Sequence, residues 1–192
     1  MLAFLKGALA AVIGVALGLA VTFVTLERGF GFGAVQAGPW TAWPRVGASD
    51  IDPYARAVLS RTGEIPLASA QGISFYARTD NTGAPLSGSC DYVVAGAVPA
   101  ARFWTLTLTD VNGRLLENAA HRYAFTSSEI LRRADNSFAI AVAPEARAGN
   151  WLPSETGKRF VLVLKLYDAI ASASPAGLAG ASTPTLTRRR CW

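Results

Sequence analysis

The sequence predicts a mainly β fold: a jelly-roll-like β-sandwich with one or two short helices, preceded by one N-terminal transmembrane helix. Three observations carry this. An uncharged apolar run spans Gly7 to Leu26. Short segments alternate apolar and polar residues with a period of two, as half-buried strands do. Turn chemistry separates them, as in Asp80-Asn81-Thr82-Gly83 and Asp110-Val111-Asn112-Gly113.

The apolar run sets the first domain boundary. Twenty residues at 1.5 Å each make a helix of about 30 Å, the thickness of a bilayer's hydrocarbon core. Lys6 precedes the run, and Glu27 and Arg28 follow it. Positive charge at the short N-terminal end keeps that end in the cytoplasm and sends the bulk of the chain outward. Residues 1–28 are therefore expected to be a membrane anchor or an uncleaved signal. The competing reading is a cleaved signal peptide, with Val35-Gln36-Ala37 as its small-residue site. Signal cores usually run about 7–15 residues. This run is longer, and the site lies well past its end, which favours the anchor.

Residues 29–48 are rich in Gly, Ala and aromatics and carry Pro39 and Pro44, so they are expected to be a linker. Phe30, Phe32, Trp40 and Trp43 suit either an aromatic belt at the headgroups or packing on the domain. The exported domain is expected over 49–192. Its first element is a short helix from Asp50 to Thr62. Asp52 caps it, Pro53 suits its first turn and Gly63 ends it.

Strands follow. Ile73–Arg78 and Tyr92–Val94 come first. Phe103–Thr109 places Trp104, Leu106 and Leu108 on one face and threonines on the other. After the Asp110–Gly113 turn, Leu115-Leu116 is expected to open a return strand. Thr126-Ser127-Ser128-Glu129 has capping-box spacing and is expected to start one or two helical turns. Phe138–Val142 is a further strand. Phe160–Tyr167 is the strongest, with Val161 and Val163 implying burial on both faces at one end. Ala171 to Pro184 reads as a small-residue loop before a basic tail.

The chain has 192 residues and a formal net charge of +5, and Arg188, Arg189 and Arg190 supply three of those charges. The basicity is thus expected to belong to a solvated tail or an anionic-lipid contact. Nucleic-acid binders show a basic stripe on a recognisable module, and no nucleic-acid partner is expected. Only Cys90 and Cys191 are present. In an exported domain the default for such a pair is a disulfide, with two free or intermolecular thiols as the alternative. Two cysteines so far apart, without a histidine cluster, lack metal-site spacing, so no metal and no cofactor are expected.

Catalytic signals are weak. His121 is the only histidine, so any Ser–His chemistry must use it. Ser127 and Ser128 lie nearby, yet no G-x-S-x-G elbow, G-x-G-x-x-G or Walker loop occurs. Asn150-Trp151-Leu152-Pro153 is a polar-aromatic loop in which Trp151 offers a stacking surface or simply packs on the sandwich edge.

Five blocks recur in order. They are Phe103–Leu108 with Asp110 and Asn112-Gly113, Asn118-Ala119-Ala120-His121-Arg122-Tyr123, Asp135-Asn136-Ser137-Phe138, Asn150-Trp151-Leu152-Pro153, and Leu164-Lys165-Leu166-Tyr167. Together they resemble the bacterial domain of unknown function 1214 family, from about Ile73 to the C-terminus. The resemblance implies a jelly-roll-like β domain and short, N-terminally anchored forms in which that domain stands alone. It implies no catalytic residues. The family pattern usually has Asn before the Arg-Tyr pair, where this chain has His121, and that favours a turn position over a catalytic one.

The expectation is thus an anchored domain in the bacterial inner membrane, single-pass, with its C-terminal part in the periplasm. Its partners are the bilayer, through residues 7–26, and a small molecule or envelope protein. Ligand-binding candidates are His121, Arg122, Tyr123, Asn150 and Trp151. The rival is an envelope hydrolase using His121 with a nearby serine.

Overall fold

The computed structural model describes residues 2–27, 29, 32–169 and 175–192. Arg28, Phe30 and the first four residues of the small-residue loop, 171–174, lie outside them. Helix α1 (Leu2–Glu27) is followed by strands β1 (Val35–Ala37) and β2 (Trp40–Ala42), then helix α2 (Pro53–Thr62). Strands β3 (Gly72–Ala77), β4 (Cys90–Gly96), β5 (Phe103–Asp110), β6 (Ala124–Thr126), β7 (Phe138–Ala143), β8 (Asn150–Pro153) and β9 (Phe160–Tyr167) come next. Helix α3 (Pro175–Ala179) and strand β10 (Thr185–Cys191) complete the order.

Two sheets result. One has the order β1-β2-β3-β9-β5-β6 and the other β10-β4-β7-β8. All pairs are antiparallel except β7–β8. The sheets close on one core through the residues that face inward between them. Trp104, Leu106 and Leu108 of β5 and Leu162, Leu164 and Leu166 of β9 face Tyr92, Val94, Ile140 and Leu152 from the other sheet. Aromatic pairs bridge the layers: Tyr92 meets Phe160 edge-on at 5.7 Å, and Trp104 meets Phe138 at 5.1 Å between ring centroids.

The sequence marked α2 correctly, and for local reasons. The Asp52 carboxylate accepts hydrogen bonds from the backbone N–H groups of Tyr54 and Ala55, and Gly63 leaves the helix at φ 69°. Ala55 and Val58 then pack on the outer face of the larger sheet, against Trp43, Tyr76, Val161 and Val163. This explains the two-sided burial read from Val161 and Val163.

Three segments differ from expectation. Within the stretch read as a linker, β1 and β2 extend the larger sheet: β2 pairs with β3, as Trp40 with Ala77 and Ala42 with Phe75. Trp40 and Ala42 are fully buried, and the Trp40 indole donates to the Pro184 carbonyl at 2.7 Å. Gly38-Pro39 is the turn of a tight hairpin, not linker composition. Trp43 is also buried in the domain, whereas Phe32 is exposed against Tyr54. Second, Thr126–Glu129 makes a single turn. The Thr126 hydroxyl reaches Glu129 at 2.9 Å, but Thr126 already ends β6, and the buried Ile130 leads the chain back to the core. Third, Leu115-Leu116 contributes one bridge, Thr109 to Leu115, and the strand beside β5 is β6.

The basic tail is a strand as well. Arg188 pairs with Tyr92 across β10 and β4, and Cys191 lies opposite Cys90 with the two sulfurs in bonding contact. Arg188 Nε sits 3.2 Å from the buried Asp80 carboxylate. Helix α1 is the one described helix long and apolar enough to cross a membrane, a test that a signal sequence also passes. Its apolar side chains are exposed, and its last turn meets α2 through Leu26 and a 3.1 Å ion pair between Glu27 and Arg61.

Candidate functional site

The five residues singled out above fall at one corner of the sandwich, with Asn150 and Trp151 in strand β8 and not in the expected loop, and none of them lines the hollows described below. Asn150 is buried and fully engaged. Its Oδ1 accepts from the Leu131 N–H at 2.9 Å, and its Nδ2 donates to the Leu131 and Ala139 carbonyls. Trp151 is half-buried and donates to the Ala143 carbonyl at 2.9 Å. Arg122 lies over the Phe125 ring at 5.3 Å and donates to the Trp151 carbonyl at 3.2 Å, so these two are brought together. Tyr123 donates to Glu117 at 2.8 Å.

His121 is exposed, with φ 48° in the left-handed region, in a turn closed by its N–H to the Asn118 carbonyl at 3.0 Å. Among the described residues its imidazole meets neither Ser127 nor Ser128. The Ser127 hydroxyl accepts from the Trp104 N–H instead, and Ser128 sits against Thr126.

The concave surface lies elsewhere, on the outer face of the larger sheet beside α2. Register builds its floor. Tyr76, Val163 and Thr107 stand side by side on β3, β9 and β5, and Ser74, Lys165 and Thr105 form the next row. Helix α2 covers part of this face, and the β5 hairpin tip around Val111 and Asn112 rises on the other side. The cleft between them has a volume of about 410 Å³. It runs on into a second hollow of about 610 Å³ that shares Val58, Thr62, Arg78, Val111, Asn112 and Val161 with it.

The two ends differ chemically. At the first, the Tyr76 hydroxyl donates to Glu64 at 2.5 Å, and Lys165 Nζ lies 4.0 Å from the same carboxylate oxygen. Burial above all, then the Glu64 charge, pushes the Tyr76 phenol well above its usual pKa, so it stays a donor. The Arg78 guanidinium stands over the Tyr76 ring at 5.6 Å. Its desolvation pulls its pKa down, from a starting point that leaves it a cation.

The second end is basic. Arg61, Arg78, Arg114 and Arg159 line it with one acid, Glu27. Arg61 takes Glu27. The side chains of Arg78, Arg114 and Arg159 have no hydrogen-bond or ion-pair partner among the described residues, and Leu26 of α1 lines the same hollow. Sequence reasoning missed these arginines because they come from four separate segments, the end of α2, the end of β3, the β5 hairpin and the start of β9. No group of His, Cys, Asp and Glu suited to a metal occurs among the described residues.

Similarity to known proteins bears on the fold. The chain matches the crystal structure of the VPA0106 protein from Vibrio parahaemolyticus with a TM-score of 0.60 and 18% identity, over 93% of this chain and 44% of that one. It also matches a putative uncharacterized protein from Burkholderia cenocepacia at a TM-score of 0.42 and 17% identity, over 90% of this chain and 49% of that one. The chain thus spans about half the length of these solved structures or less. No curated protein matches it. The family model described as protein of unknown function (DUF1214) matches residues 71–171, from the start of β3 to just past β9. That stretch is more than half of the chain and holds most of both sheets, and the chain belongs to this family.

Proposed function

We propose that this protein is a single-pass, membrane-anchored domain on the outer side of a bacterial inner membrane, and that it binds a ligand in the cleft beside α2 without catalysis. The observation that carries this is the position of three arginines, Arg78, Arg114 and Arg159, without an ion-pair partner among the described residues, in a cleft that Leu26 and Glu27 of the apolar helix themselves line. A binding role suits the chemistry. The cleft supplies cations and threonine hydroxyls beside the exposed Val111 and Leu115, the mix of a few placed polar groups and apolar surface that holds small ligands. We read the Cys90–Cys191 pair as a disulfide made in the periplasm, and the two-sheet sandwich as jelly-roll-like, a reading supported by its predominantly antiparallel pairing. The corner where Arg122 meets Trp151 is a second surface open to an envelope partner.

Orientation and oxidation test this reading together. A C-terminal reporter that is active only outside the cytoplasm should be active, and both cysteines should resist alkylation until the protein is reduced. A silent reporter with both thiols reactive in the native protein would overturn it.

A further inference from the structure

We infer that the arginine end of the cleft takes the phosphate of an anionic phospholipid from the bilayer beside α1, with its apolar part lying along the exposed Val111 and Leu115 side chains. The inference rests on the anchored reading above and deepens it by naming the ligand. Three observations lead to it.

Charge comes first. Four guanidiniums and one carboxylate line this hollow, and the carboxylate is already engaged by Arg61. Arg78, Arg114 and Arg159 have no ion-pair partner among the described residues, and the one acid whose charge acts on Arg78, Glu64, lies in the adjoining hollow. Guanidinium is also the side chain whose planar fork fits phosphate oxygens two at a time. An incoming phosphate offers these cations acceptor oxygens that the described side chains do not.

Position comes second. Leu26 and Glu27, the last residues of α1, line the same hollow. A helix that crosses the bilayer places its final turn at the headgroups. The arginines therefore meet lipid phosphate at its own depth, and juxtamembrane cations draw anionic lipid.

Exposed apolar surface comes third. Val111, shared by both hollows, and Leu115 of the first are large apolar side chains left exposed at the cleft. A free inorganic anion has no use for such a surface. An amphiphile covers it and gains about 25 cal/mol for each Å² of apolar area removed from water.

The test uses the full chain, purified in neutral detergent and delipidated. Phosphatidylglycerol or phosphatidylcholine is titrated in, and native mass spectrometry counts the lipid retained. The wild type is expected to hold one phosphatidylglycerol at least tenfold more tightly than phosphatidylcholine. A chain with Arg78→Gln, Arg114→Gln and Arg159→Gln should lose that preference. One with Arg133→Gln, Arg189→Gln and Arg190→Gln, the same charge removed elsewhere, should keep it. The thermal midpoint of each variant shows whether it is folded, and the single Arg159→Glu change repeats the test with less disturbance. Equal preference in the wild type and the cleft variants would overturn the inference. So would displacement of the lipid by equimolar inorganic phosphate, which marks a soluble-anion site. Alkaline extraction of membranes tests the anchor separately: release of the wild-type chain sinks the anchored reading, while the lipid count in detergent is read independently.

Discussion

Asn150 and Leu131 exchange a reciprocal pair of hydrogen bonds: the Leu131 N–H donates to Asn150 Oδ1 and Asn150 Nδ2 donates back to the Leu131 carbonyl, both at 2.9 Å. The side chain thereby does for Leu131 what a neighbouring strand would do. A third bond, from Nδ2 to the Ala139 carbonyl at 3.0 Å, ties the same amide to β7. Asn150 opens β8, the strand that runs parallel to β7, so one buried amide joins three segments.

Replacing Asn150 by Ala should therefore damage stability, not ligand binding. It leaves the Leu131 N–H and two carbonyls without their side-chain partner at a partly buried position. Leaving buried polar groups unpaired costs about 1–3 kcal/mol each, and relaxation recovers part of that. The expected loss is about 2–4 kcal/mol, read as a lower denaturation midpoint, with phosphatidylglycerol retention unchanged at temperatures where the variant is folded.

The Cys90–Cys191 link should stabilise the fold by holding the end of β10. It closes a separation of 101 residues, for which chain entropy alone gives about 4.7 kcal/mol. The backbone register of β10 on β4 and the Arg188–Asp80 contact persist without it. Reduction, or Cys191→Ser, should then cost about 2–4 kcal/mol and lower the thermal midpoint. Amide exchange should speed up first in Thr187–Trp192. Unchanged exchange there would show that pairing alone secures the strand.

Asp80 predicts how stability responds to acid. Burial by itself raises its pKa. The Thr82 hydroxyl and N–H, the Ala84 N–H and the Arg188 charge outweigh that and hold the carboxyl below the usual carboxylate range. A carboxylate depressed in the folded state contributes stability that is complete above its unfolded pKa of about 3.9 and is lost as pH falls through the folded value. Asp80→Asn should be less stable at neutral pH. The gap to wild type should narrow below about pH 4. Urea midpoints measured from pH 7 to pH 3 check both parts, and a constant gap would contradict the assignment.

His121 makes a prediction of opposite sign. Its φ of 48° is a conformation that side chains adopt at a cost and glycine adopts freely. Its imidazole contacts nothing that the loss would strand among the described residues. His121→Gly should leave stability unchanged or raise it by about 0.5–1 kcal/mol. A catalytic histidine would behave otherwise: any ester hydrolysis by the wild type should disappear in this variant if the hydrolase reading is right.

Much of the fold was legible where local chemistry decides it. Asp52, Pro53 and Gly63 write α2 into the sequence, and the alternation of β5 and β9 exposes both their faces. The Asn-for-His comparison pointed to a turn position at His121, where the backbone has φ 48°. Legibility ended where distant partners decide. Trp40 and Ala42 are strand residues because β3 offers them an edge, which a three-residue segment cannot announce by itself. The capping chemistry of Thr126 was real but subordinate to its pairing with Thr105. The cleft was least visible, since Arg61, Arg78, Arg114 and Arg159 converge only through the sheet register. A net-charge count assigned the basicity to Arg188–Arg190 and overlooked them.

The hairpin at 35–42 bears on whether the anchor is retained. Cleavage after Ala37, an acceptable small-residue site, would remove all of β1. That deletes the pairing of Val35, Gln36 and Ala37 with β2 and the 3.0 Å bond from the Thr183 hydroxyl to the Ala37 carbonyl. Ala37 itself is buried. It would also separate Leu26 and Glu27 from the cleft they line. A chain beginning at Gly38 should therefore fold less stably than one that keeps β1, by about 1–3 kcal/mol, the cost of a few lost ladder bonds and a freshly exposed edge. The native protein should be recovered from membranes with residues 2–37 still attached. Intact mass after detergent extraction decides this, and a mass beginning at Gly38 would mark the apolar helix as a signal and detach the lipid site from its anchor.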